Sequence, residues 1–258
     1  NPNLKVGFNH SINTSYHSYK VLSSRYFYVY GYYSATSNAI TNSSTIDLAT
    51  GKRVYTPINV DGNNNWNIGI NWSRGQGEKK FRHNIYSNTS GGRNVVLINN
   101  NKGFNNYLNY EINYGISYSV TDKYNFSLGP KIGHNYSRSS LQTRINNNFY
   151  TYGGRANGYV MLPGKIELSS DVNLDLRQRI AVFNQNTNIV QWNGAISRKV
   201  FKDKSGKIFF VANDILNQNK GYNRSINGET IVDSRFLRVS RFFLLKFEWT
   251  FNKMPAVK

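Results

Sequence analysis

Much is missing or scarce in these 258 residues, and each absence closes off a class of protein. Cysteine is absent, so neither a disulfide framework nor a thiolate metal site can form. Carboxylates are few: 13 Asp and Glu stand against 32 Lys and Arg, a formal charge of +19. No apolar run approaches the roughly 18 residues that a membrane-spanning helix requires. Helix-favouring Ala, Glu and Met are thinly represented. Disordered chains are poor in aromatics, whereas 15% of this one is Phe, Trp or Tyr. What is plentiful is Asn, with 39 residues, together with 19 Tyr, 15 Phe and the β-branched residues that suit a pleated strand. This composition belongs to a β protein.

Period-2 alternation then dominates the chain. Over 165–180 one face reads Ile166, Leu168, Ser170, Val172, Leu174, Leu176, Gln178 and Ile180. The other face reads Lys165, Glu167, Ser169, Asp171, Asn173, Asp175, Arg177 and Arg179, without an apolar residue. After Asn106, the residues Leu108, Tyr110, Ile112, Tyr114, Ile116, Tyr118 and Val120 alternate with Asn109, Glu111, Asn113, Gly115, Ser117 and Ser119. Trp66, Ile68, Ile70 and Trp72 alternate with Asn and Gly, and Tyr124, Phe126, Leu128, Ile132 and Tyr136 do so with Asn, Ser, Lys and Gly. A soluble sandwich also alternates, but its strands run about 5–6 residues. These continue over lengths that match a tilted membrane strand of about 9–11 residues with extensions beyond the hydrocarbon. One face suits a wet lumen and the other a lipid-facing wall with aromatic girdles. Segment 25–33 is aromatic on both faces, and alternation does not assign its sides.

The fold class expected is all-β: an antiparallel up-and-down transmembrane β-barrel with about eleven strands. The segments are 4–18, 25–42, 54–74, 81–96, 106–121, 124–139, 147–162, 165–180, 188–201, 207–217 and 238–252. Short links at Val21–Ser24, Gly75–Lys80, Thr121–Lys123, Leu162–Gly164 and Lys202–Gly206 carry turn residues. Longer links near 43–53, 97–105, 140–146, 181–187 and 218–237 are rich in Asn, Gly and Thr. Short periplasmic turns opposite long external loops make the pattern of the bacterial outer membrane. An odd count leaves two unpaired edges in lipid, where each unsatisfied backbone group costs several kcal/mol. Residues 1–258 are therefore expected to be the C-terminal portion of one barrel domain, an incomplete half with its first and last strands unpaired to each other. No compositional break marks a second domain.

Three stretches carry a resemblance. Asn1-Pro2-Asn3-Leu4-Lys5, Asn59-Val60-Asp61-Gly62-Asn63, and Asp214-Ile215-Leu216-Asn217-Gln218-Asn219 followed by Arg241-Phe242-Phe243-Leu244-Leu245-Lys246-Phe247 resemble the outer-membrane β-barrel family of Bacteroidota related to TonB-dependent receptors. Val6-Gly7 stands where that family commonly has Pro-Glu. The resemblance runs over essentially the whole chain. It implies a large barrel preceded by a plug, and an energy-coupling protein acting through that plug as a partner.

Candidate site residues follow from the faces. Leu108, Tyr110, Ile112, Ile166, Leu168, Val172 and Leu174 are expected to face lipid. Glu167, Asp171, Asp175, Arg177 and Arg179 are expected to line the lumen as mutually neutralised charges rather than acid–base pairs. Phe243, Leu245, Phe247, Trp249 and Phe251 share a face, and the three aromatics Phe247, Trp249 and Phe251 resemble a terminal signal read by the barrel-assembly machinery. An ordinary lipid-facing strand would look the same, and the tail Asn252–Lys258 runs past the aromatic ending.

The basic residues are scattered over turns and polar faces, with no helix to carry a stripe. They suit lipopolysaccharide and outer-membrane lipid or anionic solutes, and no nucleic acid. His10, His17, His83 and His134 lack metal-ligand spacing, and Gly153-Gly154 lacks the helix of a phosphate loop. No nucleophile–base constellation is evident, so no catalytic residue, metal or cofactor is expected. The leading expectation is part of the wall of a channel that imports a solute too large for general porins. The alternative is a structural barrel subunit of an envelope complex. An outer-membrane enzyme would need a Ser/His/acid cluster at one rim.

Overall fold

The protein is described from a computed structural model covering residues 1–47, 49–76, 79–141, 146–180, 188–201, 205–227 and 230–251. Fifteen strands follow in chain order: β1 (Phe8–Lys20), β2 (Arg25–Ser37), β3 (Ala39–Ile46), β4 (Arg53–Val60), β5 (Asn63–Gln76), β6 (Lys79–Ile98), β7 (Asn101–Val120), β8 (Tyr124–Ser139), β9 (Asn146–Leu162), β10 (Ile166–Arg177), β11 (Ile189–Val200), β12 (Gly206–Asn213), β13 (Gly221–Asn227), β14 (Thr230–Phe236) and β15 (Phe242–Trp249). The molecule is all-β, and eleven of the strands form one antiparallel up-and-down path, β1-β2-β5-β6-β7-β8-β9-β10-β11-β12-β15. These eleven correspond to the eleven segments read from the alternation. The sheet is not closed: β1 and β15 end the path and do not pair with each other.

Strand length sets the scale. β6 and β7 each run 20 residues and pair from Ile98↔Asn101 down to Phe81↔Tyr118 without a break in register. The short turns sit together at one end. Val21–Ser23 makes a single 3-10 turn that Ser24 closes at φ 44°, and Asp122 and Lys165 turn at φ 58° and 60°. Each places a residue in the left-handed region, which reverses the chain within a few residues.

The opposite end is built differently from the loops expected there. Segments 25–42 and 54–74 are each two strands: Asn38, at φ 49°, separates β2 from β3, and Asp61-Gly62, with Gly62 at φ 112°, separates β4 from β5. β3 and β4 form a hairpin over 39–60, so much of the loop expected at 43–53 is strand. The loop expected at 97–105 is a two-residue turn at Asn99-Asn100, both left-handed at φ 48° and 63°, which Asn tolerates. Within 218–237 lies a second hairpin, β13–β14, forming its own sheet. The last wall strand starts at Phe242 rather than 238, and β12 ends at Asn213, before the Asp214 turn. Residues 142–145 and 181–187 of the expected long links, 77–78 and 202–204 of the short ones, and the tail 252–258 lie outside the described residues.

Among the described residues, the one buried apolar cluster is at this end and not in the wall. Ala39, Val60 and Val95 are buried, with Ile58, Leu97 and Phe104 packed around them. Two residues of β3 also pair in parallel with β6, Ser43↔Leu97 and Ser44↔Ile98. The tall β6–β7 hairpin is therefore held upright by the β3–β4 hairpin. In the wall, large apolar side chains stay open to the surroundings, as with Ile68 at 48%, Leu128 at 53% and Phe210 at 50% exposure.

Candidate functional site on the polar face

Directly opposed residues in paired strands share a face, so the register sorts every wall residue onto one of two sides. On the apolar side Ile166, Leu168, Val172 and Leu174 of β10 oppose Leu162, Val160, Ala156 and Gly154 of β9, and Arg198, Ile196, Trp192 and Val190 of β11. Leu108, Tyr110 and Ile112 of β7 oppose Tyr136, His134 and Ile132 of β8 on the same side. Trp66 lies across Gly91 there, where a Cβ would meet its indole at 2.6 Å. His134 sits among Tyr110, at 5.3 Å between ring centroids, and Tyr150, at 4.5 Å.

The polar side of β10 is a row of ion pairs. Glu167 pairs with Lys207 of β12 at 3.0 Å, Asp171 with Arg155 of β9 at 2.5 Å, and Asp175 with Lys131 of β8 at 2.8 Å. Arg177 lies 3.7 Å above the ring of Phe149, which is 7% exposed. Arg179 falls outside the set: β10 ends at Arg177, and Arg179 follows in an exposed, non-strand segment. Alternation identified the acidic strand, but its cations come from other strands: Arg155 from the preceding β9, and Lys131 and Lys207 from β8 and β12, each two strands away in the chain. Only the register supplies them.

β13 and β14 bear on this side as well. Glu111, Lys131, Asp175, Arg177, Lys220 and Arg238 help to line one cavity of about 460 Å³, which joins the wall strands β7, β8 and β10 to the base of the β13–β14 hairpin. The segment after β12 is fixed by Asp214, a buried carboxylate that accepts hydrogen bonds from the Gln218 and Asn219 amides, both at 2.9 Å. Arg241 donates from its amide to Asn217 at 3.2 Å and from its guanidinium to the Ile215 carbonyl at 3.4 Å. The two halves of the C-terminal sequence resemblance thus meet in space.

Segment 25–33, which alternation could not assign, is resolved by pairing. Phe27, Val29 and Tyr33 oppose Trp72, Ile70 and Trp66 on the apolar side. Tyr26, Tyr28, Tyr30 and Tyr32 therefore stand on the polar side, all half-buried. Tyr26 and Tyr28 stack with centroids 6.5 Å apart at 21°, and Tyr28 and Tyr30 follow at 5.7 Å. Tyr30 lies flat over Gly69 of β5, where any Cβ would fall on its ring. Its hydroxyl accepts a hydrogen bond from Asn88 at 2.9 Å, and Asn67 donates to Asn88 at 3.0 Å. The signal was present as Tyr at four alternate positions, hidden because the intervening positions are aromatic too.

Terminal aromatics occupy the apolar side of β15, where Phe243, Leu245, Phe247 and Trp249 oppose Ala212, Phe210, Ile208 and Gly206. Trp249 and Phe251 have centroids 4.3 Å apart, and Phe201 packs edge-on to Phe247 at 6.2 Å and against Trp249 at 6.0 Å. Sequence alternation found the β15 members and missed Phe201, which arrives from the end of β11. No group of three His, Asp or Glu among the described residues is placed to hold a metal.

No curated protein and no solved structure matches the chain. The model of the outer membrane protein beta-barrel family does, over residues 74–249, from the end of β5 to the end of β15. Long antiparallel strands, each with one wet and one apolar side, are the architecture such a wall requires. The chain belongs to the outer membrane protein beta-barrel family, and its place is the bacterial outer membrane.

Proposed function

We propose that this chain forms wall of a solute-import channel of the kind found in TonB-dependent receptors, in the Bacteroidota branch that its sequence resembles. On this reading the polar side lines the lumen, and the apolar side, with Leu108, Tyr110, Ile112, Ile166, Leu168, Val172 and Leu174, meets lipid. The observation that carries the proposal is the neutralised row on β10, where Glu167, Asp171 and Asp175 each hold a cation from another strand. Water-filled lumens tolerate such charges, whereas a charge at the bilayer midplane on the lipid side costs about 2–4 kcal/mol. The cavity under the β13–β14 hairpin supplies a place where an external segment and the wall hold a solute together. The chain acts as a binding and guiding surface and performs no chemistry. Its partners are lipid and lipopolysaccharide, the assembly machinery that reads Phe247, Trp249 and Phe251, and an energy-coupling protein engaging a plug.

The experiment is uptake by cells with and without the full protein, using labelled peptides, ferric chelates and oligosaccharides above the porin size limit. Uptake of at least one probe should require the protein and stop when a protonophore collapses the proton-motive force. Equal uptake of all probes by both strains, at normal outer-membrane levels of the protein, would assign it a structural role instead.

A further inference from the structure

The polar side is not uniform. β8, β9, β10 and β12 contribute to ion pairs, but β1, β2 and β5 place no Lys, Arg, Asp or Glu on this side among the described residues. Their polar side is Asn9, Ser11, Asn13, Ser15, His17 and Tyr19 on β1, the four tyrosines with Ser34 and Thr36 on β2, and Asn63, Asn65, Asn67, Asn71 and Ser73 with Gly69 and Gly75 on β5. In a protein of net charge +19, a three-strand band without a formal charge is a selective surface. It offers anions no Coulomb attraction.

We propose that this band is a binding track for a neutral, linear oligosaccharide, with Tyr26, Tyr28, Tyr30 and Tyr32 as its stacking platforms. The proposal rests on the polar side being the lumen. Three features point to that ligand class. First, the rings of Tyr26, Tyr28 and Tyr30 form a file, at 6.5 and 5.7 Å between centroids, a step on the scale of one hexose in a chain, and Tyr32 stands at the next alternate position. The electron-rich ring face attracts the weakly positive C–H groups on a sugar face. Second, the flanking strands supply amides and hydroxyls, each amide both donating and accepting, which suits a ligand whose rim is hydroxyl groups. Third, Tyr30 is fixed in advance: it lies over Gly69 and is held by Asn88, itself bonded to Asn67. A platform fixed before binding loses little side-chain entropy when the ligand arrives.

The test is calorimetric titration of the full protein, in a detergent without a sugar headgroup, with maltohexaose, cellohexaose and laminarihexaose, and with hexagalacturonate as the anionic probe. At least one neutral hexasaccharide should bind, and hexagalacturonate should bind more weakly. Tyr28→Ala and Tyr32→Ala should each weaken binding about tenfold, as expected for a buried aromatic contact. Tyr28→Phe and Tyr32→Phe should keep the affinity, and Tyr33→Ala, on the apolar side of the same strand, should leave it unchanged. No binding of any neutral hexasaccharide overturns the track, as does binding that survives the Ala substitutions or is lost equally in Phe and Ala. If uptake of a peptide or ferric chelate still requires the protein, the track alone has failed and the channel stands. If Tyr33→Ala is the variant that abolishes binding, the assignment of faces falls with it.

Discussion

Tyr30 and Gly69 illustrate how much a single position can decide. The ring of Tyr30 occupies the space that a β-carbon at 69 would take, so the glycine is required by close approach and not by its backbone angles. Gly69→Ala should therefore push the tyrosine off β5 and away from Asn88. We expect a loss of about 1–3 kcal/mol, the usual penalty for overpacking a fitted site, read as a lower unfolding temperature of the detergent-solubilised barrel. Wild-type stability in Gly69→Ala would mean that Tyr30 has room to move and is not held where it is described. Neither the ring's position nor the glycine's reason could be taken from the sequence. Alternation distinguishes polar from apolar, and tyrosine satisfies both descriptions.

Among the elements, β10 was the most legible, because every residue of one side is polar and nearly every residue of the other is aliphatic. Its paired register with β9 and β11 sets Leu174 against Gly154 and Val190, and Asn173 against Arg155 and Gln191. An arginine at 174 should enter lipid and cost about 2–4 kcal/mol if that position lies near the midplane, while Asn173→Arg should be tolerated beside Asp171 and Asp175. Reversible unfolding into denaturant from lipid vesicles measures both, and equal losses would refute the two-sided reading. The elements that misled were those where a strand passes straight into a hairpin. In segments 25–42 and 54–74 the break between strands is carried by one left-handed residue each, Asn38 and Gly62. At 97–105 composition suggested a loose loop, but two left-handed asparagines close a tight turn and Val95, Leu97 and Phe104 find a buried cluster. Tertiary packing, which composition does not report, made the difference. β15 shows the converse: its aromatic side was evident, and Phe201 was added by the fold. Changing Phe247, Trp249 and Phe251 together to Ser should prevent assembly of the full protein. Normal outer-membrane levels of that variant, by fractionation, would exclude the recognition role.

At the scale of the whole molecule, the two ends of the sheet differ in kind, and orientation follows from that difference. One end holds the brief reversals at Val21–Ser23, Asp122 and Lys165. The other holds two hairpins, the buried cluster of Ala39, Val60 and Val95, and the cavity lined in part by Lys220, Arg238, Asp175 and Glu111. Outer-membrane barrels keep short turns in the periplasm and send their larger connections outward. Positive side chains at the elaborate end also complement the anionic headgroups of lipopolysaccharide. The segment 218–237 should therefore be outside the cell, where Lys220 and Arg235, both exposed, present trypsin sites. Trypsin added to intact cells should cut there and release a C-terminal piece detectable with an antibody to residues of β15. Cleavage seen only after the outer membrane is permeabilised would place the hairpins in the periplasm and reverse the direction of every strand.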